Sequence, residues 1–277
     1  MLPQLHTIRE LENRGYRVQP GTADFFLLWA GPFASLLSQY LTCDHSRLDG
    51  SIRVPVDSPA LLQKIDDFQR THALLFDLDD TLVDTSKSYD AAVEQLTGCS
   101  HQDLQNLRAE GGFNDDWTAA HELLKRAGKP QPLERVIAEG KQIYARLAPT
   151  AEIPYFKNEW LNHWRKRHRT FIFTGRPRDE YESIWGERLQ PYFHDVLCLG
   201  EHGLPGKPSP DGLHHLMQKH KIAGGIYVGN SVDDMRAAKM AGLFAIGVTT
   251  NQSAATLAQA GADLVLPNLE ALHISLS

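Results

Sequence analysis

Phe-Asp-Leu-Asp-Asp-Thr-Leu-Val-Asp, residues 76 to 84, follows the short apolar run Ala73–Phe76, and its reading decides the fold. An apolar run of this length that breaks abruptly into acids has the character of a buried strand opening at a crevice. Extended residues two apart point to the same side, so Asp77 and Asp79 share the crevice while Leu78 turns away. Two like charges a few ångströms apart are unfavourable unless a cation intervenes or one acid keeps its proton. That condition sorts such a pair into nucleophile and general acid. A carboxylate can attack phosphorus to give an acyl phosphate.

Working outward, further apolar runs occur at Thr170–Phe173, Val196–Leu199, Ile226–Val228, Phe244–Val248 and Leu264–Leu266. Helical stretches separate most of them, which predicts an α/β fold: a parallel, Rossmann-like sheet wound with helices, with ligands at the carboxyl ends of its strands. The stretch 85–168 is too long for a simple crossover and reads as helices over Ser86–Leu96, His101–Ala109, Asp115–Ala127, Leu133–Leu147 and Tyr155–His168. Gly111, Gly112, Pro130, Pro132, Pro149 and Pro154 punctuate it. The expected organisation is a core formed by 71–84 and 169–277, with a helical insertion at 85–168. Residues 1–70 read as a small α+β unit, helical at Thr7–Asn13, Phe33–Tyr40 and Ala60–Arg70 and extended at Tyr16–Gln19, Asp24–Trp29 and Ser51–Val56.

Attack on phosphorus needs fixed positive charge around the phosphoryl oxygens. Three later segments supply it or its equivalents. Phe-Thr-Gly-Arg at 173–176 ends a strand and offers the Thr174 hydroxyl and the N–H groups around Gly175. Gly-Lys-Pro-Ser-Pro at 206–210 places Lys207 just before a helix. Val-Gly-Asn-Ser-Val-Asp-Asp at 228–234 supplies the hard oxygen donors that magnesium prefers.

These four segments, in this order, resemble the four motifs of the haloacid dehalogenase-like phosphatases, over about 71–277. The resemblance implies a Mg2+-dependent phosphatase with a helical cap, of the subfamily I type, acting on a small phosphorylated metabolite through an aspartyl phosphate. By resemblance Asp77 is nucleophile and metal ligand, and Asp79 is acid/base and a ligand through its carbonyl. Thr174, Gly175 and Lys207 hold the phosphoryl group, Asn230 and Asp234 complete the metal site, and Arg176 is a substrate contact. Family members usually carry Asp where this chain has Asn230. An amide oxygen coordinates without charge, so Asp233 or Asp234 must compensate. Dehalogenases of this kind usually lack an acid at the place of Asp79, which favours ester hydrolysis. Two other readings stand beside this one. A phosphomutase would return the phosphoryl group to its substrate, and a catalytically weakened binding or regulatory protein would carry Asn230 as a mark of decay.

Several features carry plainer readings. Asp84, just before Thr85, is a helix cap rather than a catalytic acid. Asn114 and Asp115, in Gly-Gly-Phe-Asn-Asp-Asp-Trp at 111–117, are either substrate contacts from a cap loop or a good helix start. Arg165, Lys166, Arg167 and Arg169 suit a helix C-terminus. His214 and His215 diverge by about 100° on a helix and form no chelate.

Net charge of −6 argues against a nucleic-acid or membrane-surface partner. Charged residues at 22% and hydrophobic residues at 42% fit a folded globular chain. Cys43, Cys99 and Cys198 are far apart, which predicts neither a disulfide framework nor a thiolate zinc site. The N-terminus carries no cationic leader followed by an apolar run, and no apolar stretch reaches the ~18 residues that span a bilayer, so a cytoplasmic protein is expected. Residues 15–28 and 48–54 are similar to the small C-terminal domain of histidinol-phosphate aminotransferase-like proteins, in which the arginine matching Arg53 grips a substrate carboxylate. The domain that would bind pyridoxal phosphate is absent, so this unit is expected to serve packing, homodimer formation or small-molecule sensing.

Overall fold

Leu74 and Phe76 point to one side of the strand His72–Phe76 and Ala73 and Leu75 to the other, and all four are fully buried. A strand covered on both faces has to lie inside a layered α/β structure. In the computed structural model, which describes residues 3–14, 16–20, 25–42, 50–55 and 60–276, it is a central strand of a six-stranded sheet. The sheet runs Leu264–Leu266, Phe244–Val248, Gly224–Gly229, His72–Phe76, Arg169–Phe173, Asp195–Leu197, with every neighbouring pair parallel. From His72–Phe76 the chain adds strands first on one side and then on the other. The reversal opens a crevice at the carboxyl ends, where Asp77 begins.

One face of the sheet packs against the helices Asp211–His220 and Val232–Met240 through Leu213, Leu216 and Met235. The other face shares a core with the N-terminal elements. Phe33, Leu37, Ile52, Ile65 and Phe68 join Phe76, Trp164, Ile226 and Leu272 there. Trp164 stacks on Phe76 with ring centroids 5.2 Å apart. The N-terminal strands Arg17–Pro20, Phe25–Trp29 and Ser51–Pro55 form an antiparallel sheet. Arg53 is exposed there, its guanidinium 3.8 Å from the centre of the Phe25 ring. Cys43 and residues 15, 21–24, 48, 49 and 56 of the segments singled out above lie outside the described residues. Among the described residues, no helix is long and apolar enough to cross a membrane.

Between the first two core strands the chain forms the helices Ala91–Thr97, His101–Glu110, Asp116–Arg126 and Leu133–Ala151, around a core of Tyr89, Val93, Leu107, Trp117, Leu124 and Tyr144. Ser100 and Asp103 form a capping box, and Asp115 caps the helix that follows it. Three expected boundaries differ. Helix Leu133–Ala151 runs past Pro149, which removes one N–H, because the Glu152 N–H still closes the last turn on the Ala148 carbonyl at 3.3 Å. The helix expected from Tyr155 begins at Asn158, since Ile153–Pro154 pairs antiparallel with Val83–Asp84 and the Tyr155 N–H bonds the Leu82 carbonyl at 2.9 Å. The outgoing and returning linkers of the insertion are thereby zipped together. The first expected helix opens with a wide π-type turn at Ser86–Asp90.

Gly140, inside the longest helix of the insertion, shows how closely that core is packed. A Cβ there would meet two Trp117 ring carbons at 2.4 Å. Alanine gains roughly 1 kcal/mol of helix propensity. Overpacking against a buried ring costs typically about 1–3 kcal/mol, and the clash wins. Gly140→Ala is expected to lower Tm by a few degrees in a thermal melt; a raised Tm would show that the ring yields.

Candidate active site

Three adjacent strands end together, and each delivers a polar side chain to the mouth of the sheet. Asp77 follows His72–Phe76, Thr174 follows Arg169–Phe173, and Asn230 follows Gly224–Gly229. Lys207, from the loop before Asp211–His220, reaches in beneath them. Its ammonium donates to Asp77 Oδ1 at 2.5 Å and to Asp234 Oδ1 at 2.7 Å, and the Lys207 and Asp234 side chains are fully buried. Burial pushes the Asp77 carboxyl well above its ordinary range. Lys207 opposes that shift, and the charges of Asp234 and Asp79 reinforce it. The two carboxylates hold Lys207 protonated against the cost of its burial.

The Thr81 hydroxyl lies 3.2 Å from Asp77 Oδ2 and 3.0 Å from Asn230 Oδ1, so those two oxygens converge on one point. Thr174 Oγ donates to Asp79 Oδ2 at 3.1 Å, and Arg176 holds Asp79 Oδ1. The turn between Asp77 and Thr85 is anchored by Asp80, a non-glycine residue at φ +54°. Asp80 accepts bonds from the Thr85 N–H and hydroxyl and from Asn251. Burial, with the nearby Asp90, pushes the Asp80 carboxyl up to about 6.

The insertion closes over this mouth. The Gly112 N–H points at both Asp233 oxygens, 2.8 Å from each. Asn114 lies so close to Gly175 that a Cβ on the glycine would sit 2.2 Å from Asn114 Nδ2, so only glycine fits there. The cavity beneath the insertion is about 50 Å³ in volume and is lined by Asp77, Asp79, Asn114, Asp115, Asn230 and Asp233, among others.

A family model described as haloacid dehalogenase-like hydrolase matches residues 71–242. This chain belongs to the haloacid dehalogenase-like hydrolase family. Solved structures share the fold of this hydrolase at low sequence identity. A candidate phosphoglycolate phosphatase from Lactobacillus delbrueckii subsp. bulgaricus is similar at TM-score 0.61 and 20% identity, covering 75% of this chain and 98% of its own. A candidate β-phosphoglucomutase from Thermotoga maritima is similar at TM-score 0.55 and 21% identity, covering 73% and 97%. A curated imidazoleglycerol-phosphate dehydratase from Phytophthora nicotianae is 26% identical over 200 residues, 65% of this chain and 44% of that protein. The hydrolase therefore spans less than half the length of that relative.

Two of the expected site residues are engaged by protein partners. Arg176, expected at the substrate, lines the cavity, and its fully buried side chain has its nitrogens taken up by Asp79, Glu152 and Tyr144. Asp234, expected at the metal, has no oxygen to spare. Oδ1 accepts from Lys207 and Tyr227, and Oδ2 from the Ser231 hydroxyl and the N–H groups of Asn230 and Ser231. Those five donors exceed the roughly four lone-pair sites of a carboxylate. The neighbouring Asp233 lines the cavity instead. Asp115 both lines the cavity and caps its helix, accepting the Thr118 N–H at 2.6 Å. Asp84 is engaged locally by the Ser86 N–H and hydroxyl.

Asp77, Asn230 and Asp233, which line the cavity, are all oxygen donors. Such a set suits a hard divalent cation. The convergence of Asp77 and Asn230 on Thr81, and the excess of buried carboxylate over ammonium, both fit a cation there. The sequence reading passed over Thr81, Tyr227 and Glu152. Only Thr81 carried a signal, by lying inside the acidic motif.

The two adjacent acids should separate by stability. Asp234→Asn turns an amide N–H2 toward a ring of buried donors that the carboxylate accepts and is expected to cost roughly 3 kcal/mol. Asp233→Asn keeps an acceptor for Gly112 and is expected to stay within about 1 kcal/mol of the parent. Urea unfolding of both variants measures the difference; equal losses would contradict the assignment.

Proposed function

We propose that this hydrolase cleaves a small phosphate monoester through an aspartyl phosphate formed on Asp77. The observation that carries the reading is the Asp77 carboxylate at the centre of the sheet mouth, held by Lys207 and Thr81, with a second acid, Asp79, facing the same cavity. An Asp77 oxygen attacks phosphorus and the bond to the leaving oxygen breaks. Asp79 gives that oxygen its proton. Asp79 then takes a proton from the water that attacks phosphorus. The bond to Asp77 breaks, and inorganic phosphate leaves with the carboxylate restored. Lys207, the Thr174 hydroxyl and the Gly175 N–H neutralise phosphoryl oxygens throughout. Mg2+ would be held by Asp77, the Asp79 carbonyl, Asn230 and Asp233, and would supply the charge that Asn230 does not.

The small cavity under the insertion supports a small-molecule substrate. The compounds in the names of the relatives, phosphoglycolate and imidazoleglycerol phosphate, are small phosphate esters too. Unpaired Cys99 and Cys198 support a reducing, cytoplasmic setting.

Asp77→Asn is expected to lower Mg2+-dependent phosphate release from p-nitrophenyl phosphate by roughly a thousandfold or more, the usual scale for loss of a nucleophile. Turnover close to that of the parent would refute the assignment. Phosphorus NMR of the products should show free phosphate; an isomeric ester would indicate a mutase.

A further inference from the structure

We propose that Arg176 is a positioning residue that fixes one oxygen of Asp79 so that the other faces the leaving group, and that Glu152 in the return linker sets Arg176 in turn. The inference rests on the aspartyl-phosphate reading and adds to it a link between the seat of the insertion and the aim of the acid.

Arg176 follows Gly175 directly, and its side chain has no solvent exposure. Nε donates to Asp79 Oδ1 at 3.1 Å, and Nη2 reaches the same oxygen. On the far edge, Nη1 donates to Glu152 Oε2 at 3.1 Å and to the Tyr144 hydroxyl at 2.9 Å, and Nη2 also reaches Glu152 Oε1 at 3.2 Å. A guanidinium is a rigid plane, so the carboxylates on its two edges cannot turn independently. The rings of Tyr89 and Tyr144, stacked at 4.2 Å, lie 5.0 and 5.8 Å from the guanidinium carbon.

Glu152 gathers partners from every side of the junction. It accepts from Ser88 on the outgoing segment, from Tyr144 on the long helix and from the Trp185 indole of the core, at 3.0, 3.1 and 2.5 Å. Its side chain is fully buried. The closed insertion therefore fixes Glu152, Glu152 fixes Arg176, and Arg176 holds Asp79 Oδ1. Oδ2 keeps one partner, the Thr174 hydroxyl. That hydroxyl is free to rotate onto a phosphoryl oxygen, which releases Oδ2 to the leaving group.

A neutralising role alone, balancing Glu152, would affect all substrates equally. A positioning role slows formation of the aspartyl phosphate, the step that kcat/KM reports, only where the leaving oxygen needs a proton; breakdown of the aspartyl phosphate is common to both esters. Arg176→Lys, which cannot span both edges, is expected to cut kcat/KM for β-glycerophosphate roughly 100-fold. With p-nitrophenyl phosphate, whose leaving group needs no proton, the loss should stay within about fivefold. Adding Arg176→Lys to Asp79→Asn should bring no further loss on β-glycerophosphate, since the two act on one step. Should Arg176→Lys fail to fold, Tyr144→Phe removes one bond to the guanidinium without stranding a charge. Its loss, about fivefold, should again fall on the alkyl ester. Equal losses in kcat/KM on both esters, or additive losses in the double variant, overturn the proposal and leave the nucleophile untouched. A parent enzyme that hydrolyses neither ester overturns the aspartyl-phosphate reading itself, and this inference with it.

Discussion

One ammonium, on Lys207, stands between two buried carboxylates, Asp77 and Asp234, at the open end of a parallel sheet. Removing such charges from water is costly, and one cation does not balance two anions. Asp234 is matched by a ring of further donors, and the Asp77 carboxyl is driven upward by its burial, which the charge of Asp234 reinforces. A phosphoryl group brings still more negative charge into that mouth. In the proposed reading this is why hard-cation donors gather there, and why charge neutralisation is the main task of the residues around Asp77.

The sheet makes that crowding tolerable by holding each group on rigid backbone. The strands ending in Asp77, Thr174 and Asn230 are hydrogen-bonded neighbours, so their carboxyl-terminal residues are fixed relative to one another. Residues far apart in the chain meet because strand order reverses at this point. The insertion adds the roof. Its linkers pair as Val83–Asp84 with Ile153–Pro154, so it leaves and re-enters the core at a single place, next to Glu152. The acid Asp79, the guanidinium of Arg176 and the end of the long helix are parts of one hydrogen-bonded group.

How much of this the sequence revealed depended on whether the signal was local. All six core strands were legible because each is a short, largely apolar run, and their centres match to within a residue or two. The fold followed from them. Helix ends were less legible at Pro149 and Tyr155, where a cap and a linker pairing outweigh local pattern. Asp77, Lys207 and Asn230 could be placed by their position at strand ends and before a helix. Asp234 illustrates the opposite case. Ser231 and Asp234 form a capping box at a helix start, but the full set of donors to Asp234 includes Lys207 and Tyr227 from other elements. Arg176 was legible as a cation near the site, yet its partner Glu152, an isolated acid between Ala151 and Ile153, gave no sign of its role. Such long-range pairs are set by packing alone.

The central claim is that Asp77 carries the phosphoryl group between two half-reactions. The most direct test is to quench the enzyme during turnover of a phosphate monoester with Mg2+, reduce it with borohydride and sequence its peptides by mass spectrometry. Borohydride converts an acyl phosphate, but not a free carboxylate, to the alcohol, so the account predicts homoserine at position 77 and at no other aspartate. Unmodified Asp77 in an enzyme caught at full turnover, or a phosphoryl group found on another residue, would contradict it.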